Sequence, residues 1–224
     1  MTILQLFWSL LRKDLTIEFR SREILYPMAL FSFLMVLIFS FAFLSDPARA
    51  RDLGPGIIWV TILFSATVGL NRLFDPEREN GCLWALLLGP VPGGVVFLAK
   101  VAVHLLFTGL MEVLTIPLIF MFFDLSLADP WSLWSVLVLG TFAISLIGTL
   151  FSAMLMNARM KEVLLPLVVY PVLVPVVIAG CKVTALALGA PIAEDSGPWL
   201  RFLAGFDMIF GVVTLGLFER MVRA

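Results

Sequence analysis

Apolar runs of membrane-spanning length recur along the chain, separated by short polar breaks. With about 20 apolar residues needed to cross a hydrocarbon core, the runs Ile24 to Leu44, Leu53 to Phe74, Gly93 to Phe123, Trp131 to Asn157, Val163 to Leu188 and Trp199 to Phe218 predict six spans. The fold class is therefore all-α, a polytopic membrane protein. The third run is long enough to require tilt, a kink at Pro117 or an overhang into water. The fifth carries Pro166, Pro171 and Pro175, each lacking a backbone donor, which predicts a bent or broken helix. Asp129 followed by Pro130 predicts the cap and first turn of the fourth span.

Ahead of the first span, Ile3, Leu4, Phe7, Leu10, Leu11 and Leu15 recur at helical spacing, with Gln5, Ser9, Arg12, Lys13 and Glu18 over much of the remaining surface. That pattern predicts a helix lying along the membrane interface, as an anchor or as one wall of a docking site. Arg12, Lys13, Arg20 and Arg22 precede an apolar run about twice the length of a signal-peptide core, so that run reads as a retained span.

Composition agrees: 61% of the 224 residues are hydrophobic, 14% are charged and mean hydropathy is +1.07. A net charge of −1 without a basic cluster argues against nucleic acid as a partner. Cys82 and Cys181 stand alone, with no CxxC, CxxCH or zinc spacing. With six spans both ends of the chain lie on one side. That side holds Arg12, Lys13, Arg20, Arg22, Arg72, Arg78, Arg159, Lys161, Arg220 and Arg223, against Arg49, Arg51, Lys182 and Arg201 on the other. The positive-inside rule makes the first side cytoplasmic. Trp59, Trp131, Trp134 and Trp199 near span ends fit an aromatic belt.

The polar break between spans two and three is unusually long. Asp75-Pro76-Glu77 signals a helix start, Gly81 interrupts it, Trp84 to Leu88 continue along the interface, and the Gly89 to Pro92 segment, with Pro90, stops it. Glu77, Arg78 and Glu79 are expected in water, with Cys82, Leu83 and Trp84 held against the membrane. Such an elbow suits a partner socket and equally a solvated turn.

Within the third span Lys100, His104, Thr108 and Glu112 share one face at i, i+4 spacing. A charge near the bilayer centre costs about 2.5–3.5 kcal/mol on insertion scales, so the stripe is expected to face protein. Lys100 is expected to snorkel to the interface. His104 and Glu112 read either as a ligand or proton pathway or as hydrogen-bonding partners of neighbouring helices. Asp207 in the sixth span is expected to pair, with Arg201 six residues away.

The interfacial helix, six spans and elbow resemble the membrane component of an ABC-2 type transporter. More narrowly, "KDLTIEFRSRE", "GPGIIWV", "RLFDPERENGCLWALLLGPVP", "LAKVAVHLLFTGL" and "IPL" resemble a membrane permease family of the cytochrome c maturation system, the haem exporter protein B family. The similarity is densest from Gly54 to Pro117. The family commonly has an acidic residue where this chain has Trp84.

The resemblance implies a single permease domain over 1–224: interfacial helix 1–23, spans one and two 24–74, coupling elbow 75–92 and spans three to six 93–223. It also implies that Asp75, Glu77, Arg78, Glu79, Gly81, Leu83, Trp84 and Pro90 couple to a cytoplasmic ATP-binding subunit of the same transporter. Further implied partners are the haem-handling membrane protein of the system (haem exporter protein C), its small membrane protein (haem exporter protein D), a second copy of this chain and, indirectly, the haem chaperone, in a bacterial inner membrane. Haem and ATP enter through partners, with no cofactor held directly: no GxxxxGK[ST] loop surrounds any lysine, and the WG-repeating external segment of the haem-handling protein is missing. Two other functions stand beside this one. One is an ATP-independent scaffold; the other is an intramembrane enzyme built on His104 and Glu112, for which no HExxH, GxSxG or paired carboxylates speak.

Overall fold

The computed structural model describes residues 2–43, 47–79, 92–190 and 195–223. The described residues are helical with short turns: α1 (Ile3–Ser21), α2 (Leu25–Ala42), α3 (Pro47–Arg72), α4 (Asp75–Glu79), α5 (Gly93–Phe123), α6 (Pro130–Met154), α7 (Lys161–Ala187) and α8 (Ser196–Arg223). Six of these helices are long and apolar enough to cross a membrane, as the hydrophobic pattern predicts.

Helices α3 and α6 form the centre. Helix α3 packs against α2, α5, α6 and α7, and α6 packs against α3, α5, α7 and α8. Both are mostly buried, whereas α2 and α8 leave most of their apolar surface open. Trp59 of α3 fills the middle, fully buried, its indole N–H donating to Thr184 Oγ1 at 2.9 Å. Gly140 of α6 and Gly180 of α7 make room for that ring; a Cβ at either would overlap the indole. The belt position expected for Trp59 is therefore corrected: it is a core residue, placed there because two glycines face it. Trp131 and Trp134 are exposed, as a belt requires.

Of the bend or break expected in the fifth span, the break does not occur. Helix α7 runs unbroken through Pro166, Pro171 and Pro175. Its buried residues Leu165, Val169, Leu173, Val176, Gly180, Val183 and Ala187 keep one stripe in helical register past all three prolines. Packing of that stripe holds the helix where the missing donors alone would interrupt it.

Caps follow local chemistry. Asp129 Oδ1 accepts from the amides of Trp131 and Ser132 at 3.1 and 3.3 Å, with Pro130 in the first turn of α6, as expected. Glu18 of α1 caps α2 from outside the helix, accepting from the amides of Ile24 and Leu25 at 2.9 and 2.8 Å. That pair of hydrogen bonds ties the amphipathic helix to the first span.

Candidate functional site: a charged joint between α1, α4 and α5

Only two residues, Leu73 and Phe74, separate α3 from α4, so the elbow leaves span two directly. The Phe74 carbonyl accepts from the Arg78 amide at 3.0 Å and closes its single turn. Asp75 heads this turn, as predicted, but its carboxylate turns to Lys161 at the start of α7, 3.6 Å away.

Glu77 departs from expectation. Its side chain is 3% exposed, not in water. Its two oxygens are taken by two lysines from different helices: Lys100 Nζ of α5 donates to Oε2 at 2.8 Å, and Lys13 Nζ of α1 donates to Oε1 at 2.6 Å. Asp14 of α1 closes the set, 3.0 Å from each ammonium. Lys100 also donates to the Leu73 carbonyl at 3.1 Å and sits 5.3 Å from the centre of the Phe74 ring. Two ammonium groups and two carboxylates thus alternate in a closed, neutral ring that joins α1, α4 and α5.

The same geometry corrects Lys100. At 4% exposure it does not snorkel; it bends to the buried carboxylates because they are nearer than open water. Lys13 lies at the rim of the ring. Burial, the largest influence on its pKa, pulls it down, but the bond to Glu77 and the charges of Asp14 and Glu77 more than offset this and hold it above the ordinary lysine range. Pairing is what makes such burial tolerable, since an unpaired charge there is strongly destabilising. Beside the ring a cleft of about 310 Å³ opens between α1, the start of α2, the end of α3, α4 and α5, lined in part by Asp14, Glu18, Arg72, Asp75 and Lys100.

Arg78 is exposed on α4, as expected. The Glu79 side chain and Gly81, Leu83, Trp84 and Pro90, which the resemblance assigns to coupling, together with Cys82, lie outside the described residues.

Deeper in α5 the polar stripe faces protein, as its spacing predicts. His104 is fully buried, with Nδ1 2.9 Å from Ser145 Oγ and Nε2 3.0 Å from the Ala66 carbonyl. A carbonyl only accepts, so Nε2 carries the proton and Nδ1 accepts from the serine hydroxyl. Both ring nitrogens are engaged, in the arrangement of a helix-packing residue. Glu112 accepts from Thr141 Oγ1 of α6. Among the described residues no group of three His, Cys, Asp or Glu side chains converges as a metal site.

Asp207 does not pair with Arg201. Arg201 is exposed and its Nε donates to the Gly197 carbonyl at 3.4 Å, while neither carboxylate oxygen of buried Asp207 has a hydrogen-bond partner among the described residues. Six residues of helix rotate the two side chains some 600°, which is about 120° off the shared face.

Two acids of α1 are buried: Asp14, which the sequence pattern does not single out, and Glu18, whose expected place on the polar surface is corrected. Asp14 and Glu18 fall with Leu11 on one helical stripe, at i, i+3 and i+7, so the buried face of α1 carries acids among its apolar positions. A lysine eight residues into an apolar span, at Lys100, is the matching signal.

The family described as "CcmB protein" matches residues 5–221. This chain belongs to the CcmB protein family. Among the relatives, "Heme exporter protein B" of Haemophilus influenzae is 34% identical over 215 residues, covering 95% of this chain and 94% of that protein. The protein of the same name from Pseudomonas aeruginosa is 31% identical over 203 residues, covering 90% and 91%. That from Escherichia coli K12 is 38% identical over 106 residues, about half of each chain. The family match spans α1, the charged ring and all six long helices, so the joint is built inside the shared region.

Proposed function

We propose that this chain is the membrane subunit of a haem exporter of cytochrome c maturation, driven by a separate ATP-hydrolysing subunit that docks on the end of the bundle carrying α1 and α4. That end is cytoplasmic, the membrane is a bacterial inner membrane, and the chain itself hydrolyses nothing. The role in haem handling comes from the printed name of its relatives, "Heme exporter protein B". The coupling comes from one observation: Glu77 on the elbow is clamped by Lys100 of α5 and Lys13 of α1. A push on α4 cannot be absorbed locally, because displacing Glu77 would strip two buried ammonium groups of their partner. The push moves α1 and α5 instead.

The engaged ring nitrogens of His104 favour a division of labour in which haem stays with the haem-handling membrane protein and the chaperone, while ATP-driven motion of this subunit releases the loaded chaperone. The small membrane protein of the system and a second copy of this chain complete the assembly. The role of docking falls to the water-facing side of α4, where Arg78 lies, and Glu77 acts from within as the transmitting residue.

The test separates these roles. Arg78→Glu is expected to reduce co-purification of the ATP-hydrolysing subunit several-fold while leaving insertion intact; Arg201→Glu, at the opposite end, is expected to leave it unchanged. Equal recovery of the ATPase with both variants would refute docking on α4. Normal maturation with a catalytically dead ATPase would favour a passive scaffold.

A further inference from the structure

At the α4 end, between the last turn of α3, α4, the turn before α7 and the first turn of α7, lies a cleft of about 670 Å³. It is distinct from the one beside the charged ring. Four cationic side chains line it: Arg72, Arg78, Arg159 and Lys161. Asp75 and Glu162 are the acids on its wall, so positive charge is in excess by two. We infer that this cleft binds a phosphate-bearing anion, and that its occupant is the headgroup of an anionic phospholipid.

Sidedness alone would put arginines and lysines at this end, but it would put them in water. Lys161 is 5% exposed. Its Nζ makes no hydrogen bond among the described residues; the carboxylate paired with it, Asp75, stands 3.6 Å away, beyond hydrogen-bond reach, and Glu162 is the other acid acting on it. A buried ammonium with three donors ordinarily finds acceptors. Asn71, on the same wall, also has a buried side-chain oxygen without a partner among the described residues. The cleft further abuts the N-terminus of the 27-residue helix α7, whose cap residue Met160 offers no side-chain bond to the first amides. Buried cation, cationic rim and uncapped helix end favour the same guest, an oxyanion.

Geometry then favours the lipid as its source. The cleft sits where spans end, its wall includes Pro27 and Val68 of the apolar helices α2 and α3, and Met160 and Val163 beside Lys161 are exposed. A headgroup phosphate held by Lys161 and Arg159 leaves its acyl chains beside those apolar side chains. A free phosphate has no use for them.

The inference rests on the proposed orientation only for which leaflet supplies the lipid; binding itself is measured on this chain alone, with no ATPase present. The purified full chain in neutral detergent is offered phosphatidylglycerol, zwitterionic phosphatidylcholine or inorganic phosphate, and retained ligand is read by native mass spectrometry, with thermal stabilisation as the second measurement. The expected result is selective retention of phosphatidylglycerol, weakened about tenfold in Lys161→Gln and in Arg159→Gln, each of which loses one charge-assisted bond. Arg12→Gln on exposed α1 is expected to behave as the parent. Arg159 is exposed, so its variant keeps the test decisive if Lys161→Gln fails to fold. If inorganic phosphate alone stabilises the protein, with the same sensitivity to both substitutions, the site stands and its source is free phosphate. If neither ligand is retained selectively, or if all variants retain them alike, the inference is overturned.

Discussion

The two ends of the helix bundle handle charge in opposite ways. At the α4 end Lys13, Asp14, Glu77 and Lys100 are drawn into a closed ring, three of them almost wholly buried, joining three helices. At the other end Arg51 of α3 meets Asp124, just past α5, as an ion pair with both side chains more than half exposed. By sequence each end simply carries acids and bases. The difference is burial: the ring joins three helices through charges mostly withdrawn from water, while the surface pair leaves both its groups solvated. A pair in water contributes about 0–1 kcal/mol, whereas removing one member of a buried set costs about 3–5 kcal/mol.

The largest expected effect tests that contrast directly. Lys100→Met leaves Glu77 and Asp14 facing apolar surroundings with only Lys13 between them, and is expected to destabilise the protein by about 3–5 kcal/mol, read from denaturant unfolding in detergent. Replacing the counter-charges too, in Lys100→Met with Glu77→Leu and Asp14→Leu, is expected to recover much of that loss, because a buried ion set and a packed apolar set of similar volume are often close in energy. Stability would return in the triple variant while ATP-dependent maturation would not. If Lys100→Met costs no more than an exposed pair, the ring is not what joins the elbow to α5.

Next in size is His104→Ala. It removes a side chain bonded to α6 through Ser145 and to α3 through Ala66, and interhelical bonds of this kind are worth about 0.6–1.7 kcal/mol each within membranes. A partial loss of stability and of maturation is expected, with haem retention by the assembled complex unchanged. Loss of haem from an intact complex would instead make the imidazole a ligand to the haem iron.

What could be read in advance divides along the same line. The six spans, the Asp129 cap, the helix start at Asp75 and the protein-facing stripe of α5 all follow from periodicity or from residues three or four apart. The ring does not, since Lys13 and Glu77 are 64 residues apart and meet only because α1 folds back onto α5. Glu77 looks solvent-facing because its neighbours Pro76 and Arg78 are polar punctuation. Trp59 looks like a belt residue because it lies near the start of its span, although Gly140 and Gly180 draw it inward. Asp207 and Arg201 look like a pair by proximity along the chain, which a helix does not honour at six residues. Local chemistry located each element, and tertiary contacts decided which side of it is buried.

A smaller effect is expected at high pH. Lys13 has its pKa raised above the ordinary 10.5 in the folded protein. A raised lysine contributes stability that is complete below the unfolded value and is lost as pH rises through the folded value. The attachment of α1 to α4 is therefore expected to be constant through neutral pH and to weaken only above about pH 10.5, read as increased labelling of a cysteine placed at buried Leu11. Weakening near pH 7 would mean that Lys13 does not hold its proton in the ring.

The smallest expected effect belongs to the far end. Arg51→Ala removes the guanidinium that pairs with Asp124, yet both groups are open to water, so solvent replaces the lost partner at little cost. The end of α5 keeps its own closure: Asp124 adopts the left-handed conformation, with its amide bonded to the Phe120 carbonyl. Nearby, the amides of Ala128 and Asp129 donate to the Ala187 carbonyl at 2.9 and 3.0 Å, which anchors the connection to α6 without any charge. A change of about 0–1 kcal/mol is expected, shrinking further as salt is raised from about 0.01 M to 1 M and the screening length falls from about 30 Å to 3 Å. The same salt series applied to the parent and to Lys100→Met is expected to leave the gap between them nearly intact, because buried charges are screened little. If Arg51→Ala instead costs as much as Lys100→Met, or its effect ignores salt, then burial is not what separates the two ends, and the ring loses its support as the proposed coupling joint.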